Sequence, residues 1–132
     1  MNRIFERIST VCCLAPASVA ASTETATDYI AAKGILSIDF HILLASLASG
    51  KKLTVALYSA DDSAGANAKK VAETSFTAAE TMSKVAAVVS AEVDAPYYCV
   101  KFQHDSASAV MCSAVCNCRG MYTSAQGWTL LA

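Results

Sequence analysis

Apolar and polar residues alternate along several short stretches of this chain, a pattern typical of β-strands that bury one face. In the stretch 53–59, Leu53, Val55 and Leu57 face one side, and Thr54, Ala56 and Tyr58 face the other. The stretches 97–103 and 110–119 alternate in the same way, so each of the three predicts a strand. One face of the first of these two stretches is formed by Tyr98, Val100 and Phe102. One face of the second is formed by Val110, Cys112, Ala114, Cys116 and Cys118.

Two further stretches are less regular. Residues 29–44 alternate except at Ile35, and we predict one or two strands there, with Gly34 at a bulge or a close backbone approach. Residues 77–89 fit a helical stripe, whereas 85–93 also fits a strand with small side chains. Because predicted short strands flank this stretch at regular spacing, we interpret it as β-structure.

Turn-forming residues separate the predicted strands. Pro96 cannot lie inside a central strand, so it marks a turn. Other turns are predicted at 47–52, at 61–67 and at the His104-Asp105-Ser106 segment. Roughly six to eight short strands predict an all-β fold, a single β-sandwich of jelly-roll or Greek-key type covering residues 28–132.

Residues 1–27 are predicted to form an extended N-terminal arm. Small and hydroxylated residues dominate the segment 9–27, which offers little apolar surface for a core of its own. The segment also has the outline of a secretory signal, with an apolar stretch at 8–21 and a small-residue cleavage site at Ser18-Val19-Ala20. Pro16, the adjacent cysteines and Glu6 weaken that outline, so we favour the arm.

Composition excludes several classes of protein. Ten Lys and Arg balance eleven Asp and Glu, giving a formal net charge of −1, which does not suit a strongly basic nucleic-acid binder. The sequence contains no run of about 18 apolar residues, so it predicts no membrane span. Ala, Ser, Thr and Cys together greatly outnumber Leu, Ile, Val and Phe, and such small residues suit thin β-layers. We therefore predict neither a nucleic-acid nor a membrane partner.

The six cysteines invite a metal or redox interpretation. Cys112, Cys116 and Cys118 share one predicted strand face, and His41 or His104 could complete a zinc site in principle. Side chains two apart on a strand lie about 6.5–7 Å apart, however, and the spacing is not that of a zinc knuckle. We expect free thiols that fill a sheet face where valine would be too large, and we predict no metal and no cofactor.

Other candidate residues have simpler explanations. His41 beside Asp39, and His104 beside Asp105, could be imagined in a Cys–His or Ser-His-Asp arrangement, but nothing places a nucleophile near either, so we predict no catalytic residues and no enzyme. The 61–67 loop lacks the carboxylates of a calcium loop and suits a turn in which Asp side chains accept from backbone N–H groups. Lysine pairs at 51–52 and 69–70 are expected to be solvated and to protect strand edges. The aromatic candidates for interface anchors are Tyr97, Tyr98, Tyr122 and Trp128.

Several of these segments resemble the capsid cement, or decoration, proteins of tailed bacteriophages, in particular the Bbp16-like capsid cement family. The resemblance covers the polar lead-in at 21–28, the strand leading into Gly34, the hairpin at 49–62, the 95–102 strand and the small-residue strand at 108–118. The segment before Ser22 and the cysteine-rich last strand depart from the group. The resemblance implies a virion protein without an active site, a jelly-roll-like sandwich, and assembly as a trimer or at capsid symmetry axes.

On this reading the chain is a structural protein of a phage capsid surface, assembled in the host cytoplasm, whose partners are the major capsid protein and further copies of itself. Residues 1–27 would clasp the shell, and deleting residues 1–20 should leave a folded sandwich that no longer decorates it. Two alternatives remain. One is a secreted, lectin-like or adhesin-like sandwich with a cleaved leader, and the other is a small metal or redox enzyme that uses the clustered cysteines.

Overall fold

The structure, a computed structural model, describes residues 8–120 of the 132-residue chain and is built from β-strands joined by turns. The three clearly alternating stretches of the sequence are confirmed as strands, and so is the interpretation of the ambiguous stretch before Pro96 as β-structure. The strands are β1 (Ile8–Val19), β2 (Thr25–Ala26), β3 (Ile30–Ala31), β4 (Ile35–Leu47), β5 (Lys52–Ala60), β6 (Lys69–Thr77), β7 (Met82–Glu92), β8 (Tyr97–His104) and β9 (Val110–Gly120).

The strands form two antiparallel sheets, which confirms the predicted all-β sandwich. The first sheet has the strand order β1-β9-β4-β7, and the second has the order β2-β8-β5-β6, with β3 also pairing with β8. When β2 and β3 are counted as one interrupted strand, the chain crosses from one sheet to the other at every step except the β5–β6 hairpin, as in a jelly roll. The connectivity predicted from the sequence is therefore observed.

The core lies between the two sheets and is lined by alternate residues of the central strands. Phe40 and Ile42 on β4 are fully buried, as are Tyr98 and Val100 on β8. All five residues of the predicted β9 face are buried. Alanine and cysteine fill this face with short side chains, since neither reaches as far into the core as leucine.

The segment predicted to be an arm is part of the sandwich where the structure describes it. β1 pairs with β9 along its length, from Ile8 opposite Arg119 to Val19 opposite Val110. Its core residues are Cys13, 1% exposed, and Val19, 6% exposed. A strand of small and hydroxylated residues is stable here because β9 supplies hydrogen-bond partners and the second sheet supplies cover. Residues 1–7 lie outside the described part of the chain.

Two local predictions about strand ends have different outcomes. Gly34 has a φ of 78° and lies in the turn between β3 and β4, so the glycine was correctly placed at an irregularity. His104 was predicted to lie in a turn, and this is wrong: it is the last residue of β8 and is completely buried. Its Nε2 donates to the Val19 carbonyl at 2.8 Å, so the imidazole joins the end of β1 to the second sheet.

The sequence pattern did not predict β6. Lys69–Thr77 is the edge strand of the second sheet, and all nine of its residues are exposed. A strand that buries neither face has no reason to alternate apolar and polar residues, so periodicity could not reveal it.

Candidate binding surface

The outer face of the first sheet is built from β4, β9 and β7, whose side chains line up in rows across the sheet. Leu43 on β4 lies opposite Ser113 on β9 and opposite Ala86 on β7. In the next row, His41 lies opposite Val115 and Val88. Directly opposed side chains in antiparallel strands are close enough to touch, so each row forms a continuous surface.

One half of this outer face is apolar and open to solvent. Val88 is 55% exposed, Met111 is 50% exposed and Leu43 is 38% exposed. A contiguous apolar surface on a folded protein commonly marks a site of contact with another molecule. We call this surface the apolar half. It comprises Leu43, Ala45, Ala86, Val88, Met111 and Val115, with Ser113 and His41 lying among them in the same rows.

A shallow groove of about 320 Å³ crosses the apolar half near the end of the sheet. Met111 and Leu43 line it from the sheet, and Pro16 closes it from the edge strand β1. Lys84, which has a φ of 58°, contributes the charged group beside the groove. The groove can receive an apolar side chain from a partner but offers few polar groups to orient a small ligand.

The other half of the same face is polar and internally hydrogen-bonded. The Thr10 hydroxyl donates to Oδ1 of Asn117 at 2.6 Å, and Nδ2 of Asn117 donates to Nε2 of His41 at 3.1 Å. This chain links β1, β9 and β4 across the surface. His41 is thus occupied by a structural contact on the outer face, away from the cysteines in the core.

The thiols and imidazoles considered for a zinc site lie apart. Cys116 and Cys118 face the core with their sulfur atoms 3.7 Å apart, which is closer than the spacing predicted for residues two apart on a strand. The hydrogen bond between these thiols, together with burial, raises the pKa of Cys116. His41 lies on the opposite side of the sheet, and His104 binds backbone groups. Between Ile8 and Gly120, no three His, Cys, Asp or Glu side chains are grouped to hold a metal ion.

The other sequence candidates take structural roles. In the 61–67 loop, Oδ1 of Asp62 accepts from the backbone N–H groups of Ala64 and Ala66, as the turn interpretation predicts. The Tyr98 hydroxyl bonds to Asp94 at the turn before β8. Tyr122 and Trp128 lie outside the described residues. In the described part of the chain, no helix is long and apolar enough to cross a membrane.

Comparison with known proteins shows which fold the chain has but assigns it to no family. No protein-family model and no curated protein matches the chain. Among solved structures, it resembles the exported protein XepA of phage PBSX with a TM-score of 0.60 and 12% identity, over 93% of this chain and 42% of that one. It also resembles a protein in the structure of the infectious bursal disease virus Gx strain, with a TM-score of 0.50 and 13% identity, over 85% of this chain and 31% of that one.

A third resemblance is to the carbohydrate-binding module CBM6cm-2 of Cellvibrio mixtus lichenase 5A. It has a TM-score of 0.42 and 10% identity, over 87% of this chain and 99% of that one. The chain spans less than half the length of the first two structures. At these identities the comparisons show only a fold, shared with the PBSX exported protein XepA and with a protein of infectious bursal disease virus.

Proposed function

We propose that this chain is a non-enzymatic structural protein of a bacteriophage virion, which decorates the capsid and cements neighbouring major capsid protein subunits. The observation that carries the proposal is the apolar half of the first sheet's outer face. A sheet held by many cross-strand hydrogen bonds is a rigid platform, and Val88, Met111 and Leu43 project from it into solvent. Burying them against a shell would provide the main favourable term for binding.

The flat geometry of this surface suits a protein partner better than a small ligand. The rows that run from β9 across β4 to β7 present side chains from three strands at once. Small-molecule sites are usually concave and convergent, whereas the groove beside Met111 is shallow and open. A cement that contacts two capsid subunits stabilises the shell, because it binds the assembled state in preference to free subunits.

The resemblance of the sequence to phage cement proteins and the fold shared with viral proteins support the same proposal. Repeated copies on a shell would add many such contacts, and we propose that the chain acts as a homo-oligomer, a trimer as the resemblance implies. The alternative secreted module requires a leader cleaved after Ala20. Such a cleavage would remove β1, and with it the buried Cys13 and Val19.

A pair of matched charge substitutions tests the docking surface. Val88→Glu places a carboxylate in the apolar half, and Ser90→Glu places the same carboxylate two residues along β7, opposite Asp39 in the polar half. Shells of the phage that encodes the chain are mixed with each variant and sedimented. We expect about tenfold or greater weakening of binding by Val88→Glu, because its carboxylate would lose its hydration in the contact, and little change from Ser90→Glu.

Circular dichroism of both variants verifies that they remain folded. Failure of the unmodified chain to sediment with shells at any concentration would reject the cement function. Equal binding by the two variants would leave a cement function possible but would exclude this surface as its docking site.

A further inference from the structure

The outer face of the second sheet contains a small polar depression. Ala56 forms its floor and is 6% exposed, because neighbouring longer side chains rise around it. In the row across Ala56, Glu73 lies on β6 and Lys101 lies on β8. In the next row, Thr54 lies opposite Gln103. Glu24, just before β2, completes the rim of a space of about 170 Å³.

The charged groups around the depression are held in place and balance one another. Lys101 Nζ lies 4.4 Å from the centre of the Tyr58 ring, a cation–π contact that fixes the ammonium group at the rim. Lys70 bonds to Oε2 of Glu73, which leaves the other carboxylate oxygen of Glu73 available. The depression is thus lined by the carboxylates of Glu24 and Glu73 and by the Lys101 ammonium group, and the salt bridge from Lys70 beside it balances the second carboxylate. The Thr54 hydroxyl and the Gln103 amide also line the site.

From this arrangement we infer that the depression is a binding site for a single neutral pyranose unit. Sugar hydroxyls both donate and accept hydrogen bonds, so they match a lining that contains both carboxylate acceptors and ammonium and amide donors. The balanced charge disfavours anionic and cationic sugars alike. The small volume admits one ring and leaves the rest of a glycan in solvent.

The inference is independent of the proposed capsid role, because the site lies on the opposite side of the sandwich from the apolar half. Since Lys101 covers the Tyr58 ring, the sugar is bound through polar groups without aromatic stacking. We therefore expect weak binding, with a dissociation constant on the order of 1 mM.

Nuclear magnetic resonance titration of the full chain tests the site. The probes are the methyl glycosides of glucose, galactose and mannose, with methyl glucuronide and glucosamine as charged comparators. We expect at least one neutral glycoside to shift the amide signals of Thr54, Ala56, Lys101 and Gln103 with saturation, and the charged comparators to bind at least about fivefold more weakly. No saturable shift with any neutral glycoside, or shifts confined to other residues, overturns the proposal.

Two variants connect binding to the depression itself. Ala56→Leu fills the floor and should abolish the shifts, whereas Ala45→Leu, on the outer face of the first sheet, should leave them unchanged. If Ala56→Leu loses its dispersed spectrum, Gln103→Ala replaces it, because this exposed side chain can be truncated without disturbing the core. Unchanged sugar binding in a folded Ala56→Leu variant, or in Gln103→Ala when that variant is used, contradicts the proposed site.

Discussion

The two outer faces of the sandwich differ, although the two inner faces are built alike. Both sheets bury aliphatic and aromatic residues inward, such as Ile42 from β4 and Val100 from β8. Outward, the first sheet exposes Val88 and Met111, whereas the second exposes charged and amide side chains around Ala56. Stability requires only the inner faces to be apolar, so folding alone does not account for an apolar outer half, and this half is the surface on which the proposed contact rests.

The largest expected effect on stability comes from removing β1 from the first sheet. Deleting residues 1–20 removes a strand that covers one edge of β9 and exposes core residues that pack against Cys13 and Val19. We expect loss of the cooperative thermal transition, followed by circular dichroism, in place of the folded sandwich that the arm interpretation predicts. A truncated chain that melts like the full chain would show that β1 is dispensable to the fold.

The two histidines make hydrogen bonds in different places, His104 in the core and His41 on the outer face of the first sheet. His104→Phe leaves the Val19 carbonyl without its donor inside the protein, and we expect a loss of about 1–3 kcal/mol in the free energy of unfolding. His41→Phe removes a half-buried contact on the outer face and should change this free energy by less than about 1 kcal/mol. Urea denaturation of both variants measures the difference, and equal losses would contradict the structural role of His104.

Two glycines test local strain at turns outside the two faces. Gly65 has a φ of 85°, and a Cβ there would lie 2.9 Å from the Tyr29 ring, whereas Gly50 has a φ of 77° and open space. Both changes to alanine incur backbone strain of about 1–2 kcal/mol, and only Gly65→Ala adds a steric contact. Thermal melts should therefore show a larger decrease for Gly65→Ala, and a larger decrease for Gly50→Ala would contradict this geometry.

The smallest expected effect is on the pH dependence of the free energy of unfolding. It comes from the two thiols of β1, one buried and one exposed, and it is visible at alkaline pH. Burial raises the pKa of Cys13 from 9.0 to about 12. Between these values the unfolded chain releases a thiol proton that the folded chain retains, so the free energy of unfolding falls as pH rises. The contribution is complete below pH 9, and its loss has a limiting slope of about 1.4 kcal/mol per pH unit.

The Cys13→Val variant should reduce this alkaline slope, whereas Cys12→Val, at the exposed neighbouring position, should not. Denaturation curves collected from neutral pH to about pH 10 measure the slope. Identical slopes for the two variants would mean that Cys13 is not protected from ionisation in the folded chain.

The sequence predicts a strand where that strand buries one face and leaves the other exposed. β5, β8 and β9 alternate because their inner residues enter the core, and their patterns were sufficient. β1 was missed because its small residues and Pro16 carry little alternation, and its stability comes from distant β9. β6 was missed because both of its faces are exposed.

The candidate surfaces could not be predicted, because they depend on the register between strands far apart in the chain. Leu43 becomes part of an apolar surface only when the pairing of β4 with β7 places it beside Ala86. Ala56 becomes the floor of a depression only when Glu73 and Lys101 are paired on either side. Each residue is unremarkable in its local sequence, and no periodicity marks it.

The orientation of the chain on a decorated shell tests the central claim most directly. A cryo-electron microscopy map of shells carrying the bound protein would show which face of the sandwich meets the capsid. We predict that Leu43, Val88 and Met111 lie against capsid subunits and that the Ala56 depression faces the solvent. A map in which the second sheet meets the shell, with Val88 and Met111 still exposed, would contradict the account.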